Sequence, residues 1–177
     1  MHSLLRFLAS LNAAVWLGSA VFLTAAVGPT FFSPEMLELM PRETAGKAAQ
    51  LVLGRYFLLV LVCGAFGLSL GVAELSVARH RRLYQRVALL ALLLVMGSFG
   101  GWILQPRLKE LHRIRYATST PAEDREKARR RFGQLHGASQ GINLLMITGL
   151  LLHFRWTLNP EGSRAFSHGV SATDSGN

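Results

Sequence analysis

The chain has 177 residues, of which 50% are hydrophobic and 16% are charged, and its formal net charge at pH 7 is +9. Soluble domains usually carry about 25% charged residues, so the composition argues against a soluble globular protein, and it excludes collagen-like, disulfide-rich and wholly disordered chains. The basic residues flank apolar runs, and no nucleic-acid-binding motif accompanies them. We therefore expect the lipid bilayer, and not nucleic acid, to be the partner of the positive charge.

Four long apolar runs contain no Asp, Glu, Lys or Arg. They are bounded by Arg6 and Glu35, Arg55 and Glu74, Arg86 and Arg107, and Arg131 and Arg155. Each is close to the roughly 17–25 residues that cross a hydrocarbon core about 30 Å thick. The first run is longer than the apolar region of a signal peptide and lacks a convincing cleavage site, so it predicts a retained helix. The sequence thus predicts an all-α fold, namely a four-helix transmembrane bundle. Its spans are expected at about residues 4–27, 50–77, 84–106 and 132–155.

Spans three and four are predicted to extend beyond the bilayer as helices. Residues 120–123, Thr-Pro-Ala-Glu, form a capping box with proline at the first helical position, so the fourth helix should begin several turns before its span. Two pairs of opposite charge follow at helical spacing, Glu123 with Lys127 and Glu126 with Arg130. Residues 108–116 should extend the third helix past a kink at Pro106. The two extensions would form a protruding hairpin that is basic on its wet face.

Two further segments lie outside the predicted spans and their extensions, namely the linker after span one and the C-terminal tail, which lacks apolar periodicity. Residues 33–35, Ser-Pro-Glu, have the order of a helix cap, a first-turn proline and an early acid, which predicts a short surface helix after span one. Beyond residue 158 the chain is rich in Ser, Gly, Ala and Thr. We therefore predict one transmembrane domain over residues 1–158 and a disordered tail over residues 159–177.

Glycines recur four residues apart in three of the predicted spans. The pairs are Gly67 and Gly71, Gly97 and Gly101, and Gly137 and Gly141. Small residues at this spacing let helix backbones approach closely in lipid. We expect these pairs to pack inside one bundle, and a face for homo-oligomer formation is the alternative.

Four spans place both termini, and the connection between spans two and three, on one side of the membrane, which we call side A. The connections at residues 29–49 and 107–131 then lie on the opposite side, side B. Counts of Lys and Arg alone favour side B as cytoplasmic, whereas Arg6 before span one and Glu35 and Glu38 after it favour side A. Because the first span usually dominates, we expect both termini to be cytoplasmic, in the cell membrane of a bacterium.

Polar side chains near the side B ends of the spans are the strongest functional signal. They are Arg55, Gln105, Arg107, His136, Gln140 and Asn143. The last three follow i, i+4, i+7 spacing and share one helix face. Polar groups in hydrocarbon are costly, so they predict either a polar pocket that binds or transports a small molecule or ion, or hydrogen bonds that tie the bundle together. In a pocket, the two arginines would favour an anionic group.

A haem- or metal-dependent membrane oxidoreductase is the main alternative function, and a scaffold without a ligand is another. His136 has no Cys, Asp or second His on its helix face, so no metal site is predicted, and haem ligation would need a second inward histidine. No pairing of a nucleophile with a base is visible, so no catalytic residue is assigned, and no cofactor is expected. As a scaffold, the protein would use its basic hairpin to meet anionic lipid headgroups or a partner.

An ordered series of short motifs runs through all four predicted spans. It comprises Trp16-Leu17-Gly18, Phe22, Pro29, Ala45-Gly46, Tyr56-Phe57, Gln105-Pro106-Arg107, Phe132, Leu135-His136-Gly137 and Ser139 to Asn143. Over about residues 4–155 the chain resembles a bacterial membrane family of unknown function that is related to the eukaryotic transmembrane protein 205-like group. The resemblance implies a four-span integral membrane protein and no established chemistry. Four-span haem- and copper-handling families, a weaker likeness, typically carry a histidine within the first span, and this chain has none there.

Overall fold

The computed structural model of the protein describes residues 2–77 and 81–158. Within these two ranges the regular structure is helical and no strand occurs. Four of the helices there are long and apolar enough to cross a membrane. The predicted all-α class with four spanning helices is therefore confirmed. The tail predicted at residues 159–177 lies outside the described residues.

Five helices make up the described part of the chain. They are α1 (Ser3–Thr30), α2 (Pro34–Leu39), α3 (Arg42–Val77), α4 (Arg81–Tyr116) and α5 (Ala122–Leu158). The last three have 36, 36 and 37 residues, which at 1.5 Å per residue is about 54 Å and exceeds the hydrocarbon thickness of about 30 Å. The predicted extensions of the third and fourth spanning helices are confirmed, because α4 continues to Tyr116 and α5 begins at Ala122.

The start of α3 differs from the expected start of span two. The helix begins at Arg42 and not at about residue 50. Its first turns are polar on one side, where Lys47 contacts Glu43 at 2.6 Å. On the other side Gly46 is buried, and the ring of His112 from α4 fills the space where any side chain at Gly46 would lie. A search for apolar runs does not detect this half-polar segment, which is held by its contact with α4.

α1 and α4 continue through their prolines. Each contains one π-helical turn just before a proline, Leu23–Val27 before Pro29 and Gly100–Leu104 before Pro106. Proline has no N–H to donate, and its ring collides with the carbonyl group four residues earlier in an α-helix, so a wider turn accommodates it. Consequently α1 extends to Thr30, beyond the expected end of span one near residue 27.

The short helix predicted after span one is α2. The Ser33 hydroxyl accepts a hydrogen bond from the Met36 backbone N–H at 3.3 Å, and Pro34 occupies the first helical position. Interaction with the same hydroxyl holds the pKa of the exposed Glu35 carboxyl below its usual value. This cap marks the start of α2, the short helix that connects α1 to α3.

The four long helices form a ring. α1 and α4 each contact both α3 and α5, so α1 and α4 face each other across the ring. The chain direction alternates, which places the start of α1 and the end of α5 on side A. The centre of the ring is apolar, with Trp16, Val60, Leu90, Leu93 and Leu150 almost completely buried.

Two of the three predicted glycine pairs lie at helix contacts. A methyl group at Gly67 would come within 2.9 Å of Asn12 Nδ2, and one at Gly97 would collide with Val60. In the α5 pair, a methyl group at either glycine would meet no atom within 4 Å, and both glycines are exposed. The expected packing role therefore holds for the glycines of α3 and α4 and not for those of α5.

We predict that Gly97→Ala destabilises the protein and that Gly137→Ala does not. At Gly97 the added methyl group overlaps Val60, and overpacking of this kind costs about 1–3 kcal/mol. At Gly137 the space is open, and alanine favours the helix over glycine by about 1 kcal/mol. Thermal unfolding of the detergent-purified variants should show a lower Tm for Gly97→Ala only. Equal Tm values for the two variants would contradict the close packing of α3 against α4.

Candidate functional site

A cavity of about 410 Å³ lies among the four long helices, in the half of the bundle nearer side B. Most of its wall is apolar. The lining consists of Leu23, Thr24, Val27, Gly28, Pro29, Phe31 and Phe32 from α1 and the segment after it; Ala49, Leu53, Tyr56 and Phe57 from α3; Met96, Gly100, Leu104, Gln105 and Leu108 from α4; and His136, Ser139, Gln140, Ile142, Asn143 and Met146 from α5. A volume of about 300–1,000 Å³ with apolar walls and a few polar groups is typical of small-molecule sites.

Both π-helical turns border the cavity. Leu23, Thr24 and Val27 belong to the turn in α1, and Gly100 and Leu104 belong to the turn in α4. Because α1 and α4 face each other across the ring, the two prolines place a widened turn on opposite walls. Turns of this kind are frequent at functional sites, since they displace the residues that follow from their regular helical positions.

The structure brings four of the six predicted site residues together in the lining. They are Gln105, His136, Gln140 and Asn143. Arg55 and Arg107 are exposed and do not line the cavity. They lie on the outer surfaces of α3 and α4. The cavity thus contains the polar residues without a permanent charge and excludes the two arginines.

Gln105 and Asn143 hold helices together. Gln105 is 8% exposed, and its Nε2 donates a hydrogen bond to the backbone carbonyl of Gln50 in α3 at 3.2 Å. Asn143 Nδ2 donates to Thr24 Oγ1 in α1 at 2.7 Å, and this hydroxyl donates to the carbonyl of Ala20 at 2.7 Å. For these two residues the contacts match the alternative in which polar groups tie the bundle.

His136 and Gln140 have no such structural role. Both are exposed, and the Gln140 side chain has no hydrogen-bond partner in the described part of the chain. The His136 ring stacks on Phe132, with centroids 5.7 Å apart and planes at 10°, and its ring nitrogens have no hydrogen-bond partner among the described residues. The polar atoms of both side chains are therefore accessible to a molecule in the cavity.

The cavity opens between α1 and α5. Its exposed lining residues all come from α1, the segment directly after it, or α5, whereas the lining residues of α3 and α4 are buried or half-buried. The exposed ones are Thr24, Gly28, Pro29, Phe32, His136 and Gln140. We call this opening the α1–α5 mouth. It lies across the ring from the contact between α3 and α4.

Tyr56 is a lining residue that is not among the six site residues predicted from the sequence. Its hydroxyl is buried and has no hydrogen-bond partner within the described ranges. Buried hydroxyls are usually paired, because leaving one unsatisfied costs about 1–3 kcal/mol. Its position at the start of an apolar run is equally typical of the aromatic belt of membrane proteins, so the sequence offers no signal for a site role.

A second polar cluster lies at the side A end of the bundle. Glu74 of α3 and Arg86 of α4 form an ion pair of 2.9 Å with side chains 16% and 13% exposed. His153 of α5, 2% exposed, lies near Arg86. Glu74 Oε1, Arg86 Nε and His153 Nδ1 are buried without a hydrogen-bond partner among the described residues. Sequence spacing does not reveal this cluster, because its members come from three helices.

In residues 2–77 and 81–158, no group of three His, Cys, Asp or Glu side chains is arranged to hold a metal ion.

The apolar helices of spanning length define an integral membrane protein of the four-span class. The chain belongs to the family described as a domain of unknown function, DUF4149, whose model matches residues 11–117. This match confirms the predicted membership of an uncharacterised family. The matched residues run from α1 to just past the end of α4, so the α5 part of the cavity wall lies outside them. No curated protein and no solved structure matches the chain.

We predict that Glu74→Gln destabilises the protein strongly. The change removes one partner of a largely buried ion pair and leaves the Arg86 charge uncompensated, which typically costs about 3–5 kcal/mol. Glu123→Gln is the matched control, because its partner Lys127 is 60% exposed and exposed pairs contribute only about 0–1 kcal/mol. Unfolding in detergent should show a much larger loss of stability for Glu74→Gln. Similar losses for the two variants would contradict the buried pair.

Proposed function

We propose that the protein binds a small molecule in the cavity near side B, at a site lined by Gln105, His136, Gln140 and Asn143. The observation that carries the proposal is the presence of two unpaired polar side chains, His136 and Gln140, at the mouth of an otherwise apolar cavity. A purely structural polar cluster would pair its members internally, as Gln105 and Asn143 are paired. Unpaired groups at the mouth are instead suited to orient a ligand.

Transport would be a further step of the same proposal. The apolar core around Trp16, Leu90 and Leu150 closes the bundle between the cavity and side A. A transported molecule would therefore leave by the side on which it entered unless the helices rearrange. The proposal is accordingly a binding site open to side B, with transport dependent on a second conformation.

Native mass spectrometry of the protein purified in mild detergent tests the binding site. We expect the native chain to retain a small-molecule adduct and Ser139→Trp to lose it, because an indole at this lining position fills the cavity. Ser139 donates only within its own helix, to the carbonyl of His136 at 2.7 Å, so its loss removes no contact between helices. Ala138→Trp is the control, since Ala138 is exposed and outside the lining. Absence of an adduct from the native chain, or equal retention by both variants, would contradict the proposal.

We also propose that the protein resides in the cell membrane with both termini in the cytoplasm. Support comes from Arg6 before α1 and from Glu35 and Glu38 after it, since the charge difference across the first helix usually sets orientation. Lysine-directed reagents that do not cross membranes can test this in intact cells. Lys47 and Lys127, at the side B end, should be labelled from outside the cell. Labelling that occurs only in lysed cells would contradict this orientation and indicate the opposite one.

We also propose a relationship to a particular bacterial membrane family. The motif series continues beyond the matched residues into α5, at 135–137 and 139–143, which supports a bacterial family related to the transmembrane protein 205-like group. The expectation of no cofactor stays a prediction, and a visible absorption spectrum of the purified protein tests it. Homo-oligomer formation through the exposed α5 glycines likewise stays a prediction.

A further inference from the structure

The α1–α5 mouth lies at the depth of lipid chains. On α5, His136 and Gln140 follow Arg131 by five and nine residues, which corresponds to about 7 and 14 Å along the helix. Half of the hydrocarbon core is about 15 Å thick. On α1, Thr24 and Gly28 belong to the charge-free run that ends at Glu35. An opening between these segments faces the acyl chains of the side B leaflet.

The cavity behind the mouth suits a hydrocarbon chain. Its inner end is lined by Leu53, Phe57, Met96 and Met146, and its wall is predominantly apolar. Methionine side chains are flexible and adapt to the shape of an apolar ligand. Two unpaired polar side chains, His136 and Gln140, lie at the mouth, and one further unpaired group, the Tyr56 hydroxyl, is buried in the α3 wall. A ligand that matches this distribution has an apolar part inside and a polar part outside.

A basic side chain, that of Arg42, lies at the rim of the cavity. Phe32 lines the mouth, and the guanidinium carbon of Arg42 lies 5.9 Å from the centroid of its ring. Arg42 is exposed and forms no ion pair with any described residue. It lies at the start of α3, before the expected start of span two and at the side B end of the bundle. Anionic headgroups are attracted to basic residues in this position.

We infer that the ligand of the cavity is an anionic amphiphile of the side B leaflet. It enters through the α1–α5 mouth, places one hydrocarbon chain between the two π-helical turns, and leaves its headgroup beside Arg42. This inference rests on the proposed function and makes it specific, because the proposed function requires only a small molecule of some kind.

Photocrosslinking of the full chain in phosphatidylcholine nanodiscs tests the inference. The probe is phosphatidylglycerol with a diazirine near the end of one acyl chain, and peptide mapping locates the sites of attachment. We expect attachment at the inner end of the cavity, around Met96 and Met146. Ser139→Trp should abolish this attachment, and Ala138→Trp should retain it. If Ser139→Trp fails to fold, Gln140→Trp blocks the mouth from a position whose side chain makes no hydrogen bond to any described residue.

A second arm of the experiment tests the headgroup. Phosphatidylcholine that carries the same diazirine chain should attach at the inner end about fivefold less, the effect of one basic residue near an anionic lipid. Arg42→Gln should remove this difference. Arg55→Gln is the matched control on the same helix, because Arg55 is exposed outside the lining and its loss should leave the difference unchanged.

Attachment confined to the outer surface of the bundle, or equal labelling by the two lipids, would overturn the inference. If the lipids do not reach the cavity while native mass spectrometry shows another adduct that Ser139→Trp removes, the inference fails and the proposed function stands. If neither a lipid nor an adduct occupies the cavity, both fail.

Discussion

The cost of leaving backbone N–H and C=O groups unpaired in hydrocarbon governs this structure. It requires each crossing segment to remain helical from one membrane face to the other. Pro29 and Pro106 oppose this requirement, because each removes a donor and crowds the preceding turn. The helices resolve the conflict with π-helical turns at Leu23–Val27 and Gly100–Leu104, and so continue through both prolines. The same two turns form facing walls of the cavity, so the adjustment that keeps the backbone paired also shapes the candidate site.

The polar side chains of the bundle fall into two groups, those with hydrogen-bond or ion-pair partners on another helix and those without. Gln105 and Asn143 are hydrogen-bonded between helices and stabilise the side B half of the ring. His136 and Gln140 lack such partners and face the opening. At the opposite end, Glu74 and Arg86 form an ion pair, although Glu74 Oε1 and Arg86 Nε have no hydrogen-bond partner among the described residues. Polar content is therefore present near both membrane faces, but only the side B group borders a cavity. This difference is what separates a candidate binding site from a structural cluster.

The sequence predicts most of the fold, because charge-free runs and helix caps are local signals. The start of α3 at Arg42 is not predicted from the sequence. The first turns of that helix are stabilised by a contact with α4 and show no apolar periodicity that would reveal them. The site is predicted less completely. Spacing along one helix puts His136, Gln140 and Asn143 on one face of α5, and all three line the cavity. It does not show that Arg55 faces outward on α3, because the direction of a side chain depends on which neighbours the helix contacts.

The central claim is that α1 and α5 separate on side B and open a cavity bounded by the turns before Pro29 and Pro106. An experimental density map of the protein in lipid nanodiscs tests it most directly. The account predicts that the two helices meet at the Thr24–Asn143 hydrogen bond and diverge beyond it, with elongated density in the space between them. A map in which α1 and α5 are in contact along their whole length, with side chains filling the interior, would contradict the claim.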